Sequence, residues 1–236
     1  MMILKFFYFV KRYLVLLWLE GISLSFRRQK LRSHVAVEKP KILFVLCGLM
    51  GDTVMCTSAI TASKKIFPYS EITILGRSYN IALLKGSLNV DHFIESSFIP
   101  FSLRGGSDKS VLLNLLKERS FDISIILLGN DFSKLMRDAG IPVRVGVRGT
   151  FLSRYNNYLY DIRSPREWGP NDMVNSLRCL GYSIESGSPR LYVDNNIISY
   201  DYPTELNGLP EKYIVIHPFG STKRQWWPLK YVDRKS

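Results

Sequence analysis

The chain has 236 residues, enough for one large domain or for one domain with part of a second. Its hydrophobic fraction of 46% is ordinary for a packed core, but its net charge of +12 indicates an anionic partner: nucleic acid, a membrane surface or a phosphorylated substrate. The three cysteines form no C-x-x-C pair and the three histidines are far apart, so the sequence predicts reduced cysteines and no metal held by protein ligands alone.

The first predicted element is an amphipathic N-terminal helix within residues 1–39. Its longest apolar run, Tyr13–Leu19, is far shorter than the roughly 20 residues that cross a bilayer, and Lys11 and Arg12 would interrupt the apolar part of a secretory signal. A basic run follows, formed by Arg27, Arg28, Lys30 and Arg32. This combination predicts that residues 1–32 lie on an anionic membrane. The alternative is a helix packed on the protein's own core, followed by a solvated basic linker.

A strand, a glycine-containing turn and a helix open the predicted domain. The apolar run Ile42–Leu46 predicts a buried strand, Gly48 and Gly51 bracket a tight turn, and Asp52 begins a segment of helical spacing. One face of that helix carries apolar side chains at Met55, Ala59, Ala62 and Ile66. Because open α/β sheets bind ligands at the carboxyl ends of their strands, this turn is the predicted functional site, and Asp52 is its only acidic side chain.

Strands and helices then alternate through a predicted domain that spans residues 40–194. Further strands are predicted at Glu71–Leu75, Val90–Ile94, Phe121–Leu128, Val143–Val147 and Arg190–Val193. Helices are predicted at Tyr79–Leu84, Lys109–Arg119, Phe132–Ala139 and Asn171–Leu180, and a long surface loop at Arg148–Pro170. This alternation predicts an α/β fold with a mostly parallel, Rossmann-like sheet.

A second unit is predicted to begin after a linker at residues 195–211. Within residues 212–236, Lys212–His217 has the composition of a buried strand. The segment Ser221–Arg224 follows it with hydroxyl groups, backbone N–H groups and two cations, which is phosphate-binding chemistry. An exposed basic loop is the alternative interpretation of that segment.

Two separated motifs resemble one known family. The first is Gly51–Ser58, and the second is Ile216–Thr222 followed by Trp227 and Pro228. Between them lie similar segments in the same order: ASKKIFP from Ala62, EITILG from Glu71, NVDHFIE from Asn89, FDISIILLG from Phe121 and SLRCLGY from Ser176. On these residues the chain resembles the lipopolysaccharide heptosyltransferase family, glycosyltransferase family 9, over roughly residues 40–233.

The resemblance implies a GT-B architecture, in which two Rossmann-like domains face each other across a cleft and residues 40–194 form the N-terminal, acceptor-side half. It implies inverting sugar transfer, without metal or cofactor, from a nucleotide-sugar to an anionic glycolipid. The implied location is cytoplasmic, peripheral on the inner face of the cytoplasmic membrane. Asp52 matches the family's catalytic base, within an acceptor-side turn formed by Gly48, Gly51 and Thr53. The implied donor-phosphate site is formed by Ser221, Thr222, Lys223 and Arg224.

The chain departs from the family pattern at three points. Gln225 stands where better-known members carry a lysine, and Ser58 stands where many members carry proline. The family's donor-binding domain also continues well beyond the position of Ser236. The sequence therefore predicts an incomplete donor-binding domain and a chain that does not transfer sugar as it stands.

Other functions share some of these features. A nucleotide-dependent oxidoreductase has the same opening, but this turn is not G-x-G-x-x-G, and Arg77 follows the second strand where an NAD site has an acidic residue. A non-catalytic, membrane-associated module that binds a glycan or partner also explains the arm and the charge. Nucleic acid is not expected as a partner, because the basic residues are scattered and no recognition motif is present. For Asp52 itself, capping of the helix is the alternative to catalysis.

Overall fold

The structure is a computed structural model, and it describes residues 37–46, 48–96, 106–162, 169–185 and 187–192. The strands are β1 (Lys41–Leu46), β2 (Glu71–Gly76), β3 (His92–Glu95), β4 (Ile123–Leu127), β5 (Val143–Val147) and β6 (Tyr158–Tyr160). The helices are α1 (Met50–Ile66), α2 (Ser78–Leu84), α3 (Gly106–Arg119), α4 (Ser133–Asp138), a 3₁₀ helix (Phe151–Tyr155) and α5 (Gly169–Arg178). The predicted N-terminal helix, the linker at 195–211 and the strand at Lys212–His217 lie outside the described residues.

The described strands form one six-stranded sheet in the order β3-β2-β1-β4-β5-β6, and every pair of neighbours is parallel. The chain moves outwards from β1 to β3 and then returns to the other side of β1 with β4. This reversal leaves a crevice between the carboxyl ends of β1 and β4, where doubly wound sheets bind their ligands. The predicted Rossmann-like α/β fold is confirmed.

Helices cover both faces of the sheet. On one face, α1 and α5 pack on a core that includes Phe44, Ile74, Ile125, Ala59 and Leu177. On the other face, α3 and α4 pack on a core that includes Leu43, Val45, Ile126, Leu116 and Met136. Because β1 and β4 are buried on both faces, they are continuous apolar runs rather than alternating ones.

The predicted apolar face of α1 is confirmed, because Ala59 and Ala62 are buried and Met55 and Ile66 pack against the same core. The buried surface of α1 extends further, to Ser58. The Ser58 hydroxyl donates to the carbonyl oxygens of Pro170 and Met55, both at 2.8 Å. Ser58 therefore joins α1 to the first turn of α5.

Two sequence predictions beyond the fourth strand were wrong. The stretch predicted as a surface loop, Arg148–Pro170, contains the 3₁₀ helix and β6, which pairs with β5 at the edge of the sheet. The predicted strand at Arg190–Val193 is not a strand over its described residues, 190–192. The Arg190 amide instead donates to the Thr57 hydroxyl of α1 at 2.9 Å, so this segment crosses a helix and pairs with no strand.

Candidate functional site

The turn after β1 ends earlier than the sequence predicts. Helix α1 begins at Met50, with Leu49 as its N-cap, so Gly51 and Asp52 lie inside the first helical turn. Asp52 is therefore the third helical residue and not the N-cap. Its Oδ2 accepts a hydrogen bond from the Leu49 amide at 2.8 Å, which satisfies a backbone donor that the helix leaves free.

The capping hydrogen bond leaves half of the Asp52 carboxylate available. Within the residues that the structure describes, the other oxygen, Oδ1, forms no hydrogen bond, and the side chain is half-buried. Capping and catalysis are thus compatible, because each can use a different oxygen.

Gly48 makes room for the Asp52 side chain. A Cβ atom at Gly48 would lie 2.6 Å from Asp52 Oδ2 and 2.9 Å from Asp52 Cγ, closer than such atoms approach in proteins. Gly51 differs, because a Cβ there would meet no atom within 4 Å. Gly48 is therefore required by the turn itself, whereas Gly51 leaves an open surface beside the carboxylate.

The side chain of Asn80 fixes this turn from the neighbouring strand–helix connection. Asn80 is fully buried, and its Nδ2 donates to the Gly48 carbonyl at 3.2 Å and to the Thr53 hydroxyl at 2.6 Å. The Tyr79 hydroxyl also donates to the Gly48 carbonyl, at 3.4 Å. Thr53 in turn donates to the Leu49 carbonyl at 3.0 Å. Thr53, predicted as part of the acceptor-side turn, is buried and holds the turn from inside.

The connection after β2 repeats the geometry of the connection after β1. Its N-cap is Arg77, whose amide donates to Asn80 Oδ1 at 2.9 Å, as the Leu49 amide does to Asp52. A Cβ at Gly76 would lie 3.1 Å from Asn80 Cβ. Asn80 was not among the predicted site residues. The signal that identifies it is the shared spacing Gly-x-x-x-Asp and Gly-x-x-x-Asn, each beginning at or just after the end of a buried strand.

Apolar side chains border the open side of the turn. Leu49 is 65% exposed and Met50 is 56% exposed, whereas most large apolar residues near the sheet are buried. Together with Gly51 they form a smooth, weakly polar rim next to Asp52. Such a rim suits a ligand that presents C–H groups alongside its hydroxyl groups, as a sugar ring does.

The opposite side of the crevice is built around a second buried amide, Asn130, in the connection after β4. Its Oδ1 accepts from the Val147 amide and from Asn156 Nδ2, both at 2.9 Å. Its Nδ2 donates to the Val147 carbonyl at 2.5 Å and to the Thr150 hydroxyl at 2.7 Å. The next residue in the sequence, Asp131, is an exposed carboxylate in the same connection. The network makes the wall after β4 and β5 rigid.

The two cysteines that the structure describes, Cys56 and Cys179, are not suited to nucleophilic chemistry. Burial raises the pKa of the Cys179 thiol to about 12, so it is protonated at neutral pH and is a poor nucleophile. Cys56 is also buried, and Cys47 lies outside the described residues. Within the described ranges, no group of three or more histidine, cysteine or acidic side chains could hold a metal ion.

The remaining predicted residues are not described by the structure. The donor-phosphate positions Ser221, Thr222, Lys223 and Arg224, and residues 1–32 of the predicted membrane arm, lie outside the described residues. Of the helices that the structure does describe, none has the length and apolarity needed to cross a membrane.

Solved structures share this fold at low sequence identity. A family 9 glycosyltransferase from Veillonella parvula superposes with a TM-score of 0.55 and 17% identity, covering 66% of this chain and 46% of its own. The E. coli ADP-heptose lipopolysaccharide heptosyltransferase II superposes with a TM-score of 0.55 and 18% identity, covering 66% of this chain and 47% of its own. The E. coli heptosyltransferase WaaC, solved with ADP-2-deoxy-2-fluoro heptose, superposes with a TM-score of 0.52 and 17% identity, covering 61% of this chain and 49% of its own.

The chain spans about half the length of these solved structures. No family model and no curated protein sequence matches it. The similarity is therefore one of structure, and it agrees with the family named from the sequence motifs. The described part of the chain has a glycosyltransferase family 9, heptosyltransferase-like fold.

Proposed function

We propose that this chain belongs to an enzyme that transfers a sugar, with inversion, from a nucleotide-sugar to a lipopolysaccharide-type or other anionic cell-surface glycolipid. The observation that carries the proposal is Asp52, at the carboxyl end of a central strand with one oxygen fixed and the other available. The fold shared with heptosyltransferases supports the reaction class. The described domain acts as the acceptor side.

In the proposed reaction, Oδ1 of Asp52 takes the proton from the acceptor hydroxyl as that oxygen attacks the anomeric carbon of the donor. The bond from this carbon to the diphosphate breaks, and the nucleoside diphosphate leaves with the electron pair from the opposite face. The hydrogen bond from Leu49 holds the carboxylate in one orientation during this step. The acceptor ring lies on the rim formed by Leu49, Met50 and Gly51.

The donor side and the location complete the proposal. Ser221, Thr222, Lys223 and Arg224 bind the diphosphate, whose growing charge their hydroxyl groups and cations stabilise. Residues 1–32 hold the protein on the inner face of the cytoplasmic membrane, where the anionic acceptor is presented.

A non-catalytic, membrane-associated module that binds a glycan or a partner is the second candidate. The exposed apolar rim at Leu49 and Met50 supports glycan binding whether or not chemistry follows. In that case Asp52 serves only to cap α1, and its second oxygen has no chemical role.

A transfer assay separates the two candidates. The chain is mixed with delipidated core glycolipid, a panel of nucleotide-sugars and a separately expressed donor-binding half of a family 9 transferase, and products are followed by mass spectrometry. Asp52→Asn keeps an oxygen for the Leu49 amide but cannot take a proton, so the rate should fall by about 10²–10⁴-fold. Asp131→Asn, at an exposed carboxylate in the connection after β4, is the matched control and should retain the rate.

Each outcome has a distinct meaning. A rate that survives Asp52→Asn contradicts Asp52 as the base. Acceptor binding without any transfer, under all donor conditions, favours the module. Transfer by the chain without the added donor-binding half leaves the sugar-transfer proposal in place.

A further inference from the structure

The 3₁₀ helix and the outer side of α4 carry a cluster of cations and aromatic rings that the proposed reaction does not use. The Arg154 guanidinium lies 3.7 Å from the centre of the Phe151 ring and 4.8 Å from the centre of the Tyr155 ring. Arg137, from α4, lies 4.6 Å from the centre of the Tyr155 ring. Arg154 also donates a hydrogen bond to the Tyr155 hydroxyl at 2.7 Å. The two elements therefore form one continuous surface.

Positive charge exceeds negative charge on this surface. Lys134 and Arg137 share a single carboxylate, Asp138, at 2.6 and 2.7 Å. Burial opposes ionisation of Asp138, but the hydrogen bonds from Lys134 and Arg137 outweigh it and keep its pKa below the usual value. The hydrogen bond from Arg154 lowers the pKa of the Tyr155 hydroxyl, and the charges of Arg154, Arg137 and Lys134 act in the same direction. A phenol with a lowered pKa reports a positive local potential.

An exposed aromatic ring lies beside these cations, at a defined edge of the sheet. Phe151 is 51% exposed, and Arg154 covers one face of its ring. The residue before it, Thr150, accepts a hydrogen bond from Asn130 at the carboxyl end of β4. The surface therefore begins at the same edge of the sheet as the turn that carries Asp52. Aromatic rings with a cation at their side suit the boundary between lipid and water.

We propose that this surface, formed by Phe151, Lys134, Arg137 and Arg154, docks on an anionic lipid membrane. The cations attract the negatively charged headgroups, and the Phe151 ring enters the boundary between headgroups and acyl chains. Docking here turns the carboxyl edge of the sheet, and with it Asp52, towards the bilayer. A soluble polyanion would contact the cations but not the exposed part of the Phe151 ring. Membrane docking requires no sugar transfer, so it stands or falls separately from the proposed function.

Hydrogen exchange of the full chain on vesicles tests this surface directly. The chain is incubated with vesicles of phosphatidylcholine, with and without phosphatidylglycerol, and exchange is followed by mass spectrometry. Peptides that cover 150–155 should exchange more slowly on the anionic vesicles and be unchanged with the neutral ones. This measurement needs no substitution, and it distinguishes docking by this surface from binding through residues 1–32. Unchanged exchange of these peptides on vesicle-bound protein overturns the proposal.

Two double variants test the contribution of charge. Arg137→Gln with Arg154→Gln should lower the vesicle partition coefficient about tenfold or more, because each cation near an anionic surface contributes measurably to binding. Lys85→Gln with Lys117→Gln removes the same charge from exposed positions on α2's end and α3, and should change partitioning much less. Equal losses in the two variants would mean that only the net charge matters, and would overturn the proposal.

Discussion

The two glycines near Asp52, Gly48 and Gly51, should respond in opposite directions to the same substitution to alanine. Gly48→Ala places a Cβ atom 2.6 Å from Asp52 Oδ2 and 2.9 Å from Asp52 Cγ, so the carboxylate must move. The Leu49–Asp52 hydrogen bond is then lost at a cost of about 1 kcal/mol, and the strained backbone adds about 1–3 kcal/mol. Gly48→Ala should therefore lower the free energy of unfolding by about 2 kcal/mol or more.

Gly51→Ala provides the matched comparison. Gly51 is helical, and a Cβ atom there meets nothing within 4 Å. Replacing glycine by alanine inside a helix stabilises it by about 0.5–1 kcal/mol, so this variant should be as stable as the parent chain or more so. If an acceptor occupies the open surface beside Asp52, the same variant should bind acceptor more weakly while unfolding at higher urea concentration.

Urea unfolding followed by circular dichroism measures both effects. A third variant, Asp52→Gly, removes the atoms that the new Cβ would meet, so Gly48→Ala should cost much less in that background. Two results would contradict a clash between a Cβ atom at position 48 and Asp52. One is a Gly48→Ala chain as stable as its parent, and the other is an equal loss of unfolding free energy with and without the Asp52 side chain.

Three further predictions concern the surrounding framework. Asn80→Ala leaves the buried partners of the Asn80 side chain unsatisfied, so it should lower the free energy of unfolding in urea by about 2–3 kcal/mol. Amide exchange at Leu49 should also become faster, and unchanged exchange there would contradict the role of Asn80 in holding the turn. Gly146→Ala should prevent folding at moderate temperature, because its Cβ would overlap Asn130 and Asn156; a thermal melt like that of the parent chain would argue against this. Asp91→Asn should reduce the loss of stability on acidification.

The contacts of Asp91 explain why its ionised form stabilises the folded chain. Burial opposes ionisation of Asp91, but hydrogen bonds from the Ile72 amide at 2.7 Å and from Lys64 at 2.8 Å outweigh it and lower its pKa. A lowered pKa in the folded state gives stability that is present above the unfolded value, about 4, and is lost as the pH falls below it. The effect is modest because the side chain is partly exposed. Unfolding midpoints measured from neutral pH to about pH 3 check it, and a parent chain that loses no more stability than Asp91→Asn contradicts it.

The central strands could be predicted from the sequence, and the edge strand β6 could not. β1, β2 and β5 lie within a residue of their predicted bounds. From Ile42 to Leu46, β1 is a continuous buried apolar run, and β5 carries valine at every second residue, so each has a clear strand pattern. β6 is only the segment Tyr158–Tyr160 and depends on contacts from elsewhere, including the hydrogen bond from the Tyr160 hydroxyl to the Ile126 carbonyl. Propensity over a few residues does not predict such a strand.

Asp52 could be predicted as a site residue from the sequence, but the side chains that hold its turn in place could not. The strand, the glycines and Asp52 are adjacent in sequence, so their meeting at one turn follows from local pattern. Asn80 and Tyr79 reach Gly48 from the connection after β2, and that proximity depends on the parallel pairing of β1 with β2. The Gly-x-x-x-Asn spacing is a local clue to the position of Asn80, but not to its partner.

Amide NMR tests most directly whether the acceptor binds at the turn after β1. A delipidated, phosphorylated core oligosaccharide is titrated into the ¹⁵N-labelled chain, with Asp52→Asn as the companion variant. We expect chemical-shift changes centred on Leu49, Met50, Gly51 and Asp52. These changes should be retained in Asp52→Asn, because the variant keeps the shape of the turn. Shift changes confined to other parts of the domain, or none at saturating oligosaccharide, would contradict it.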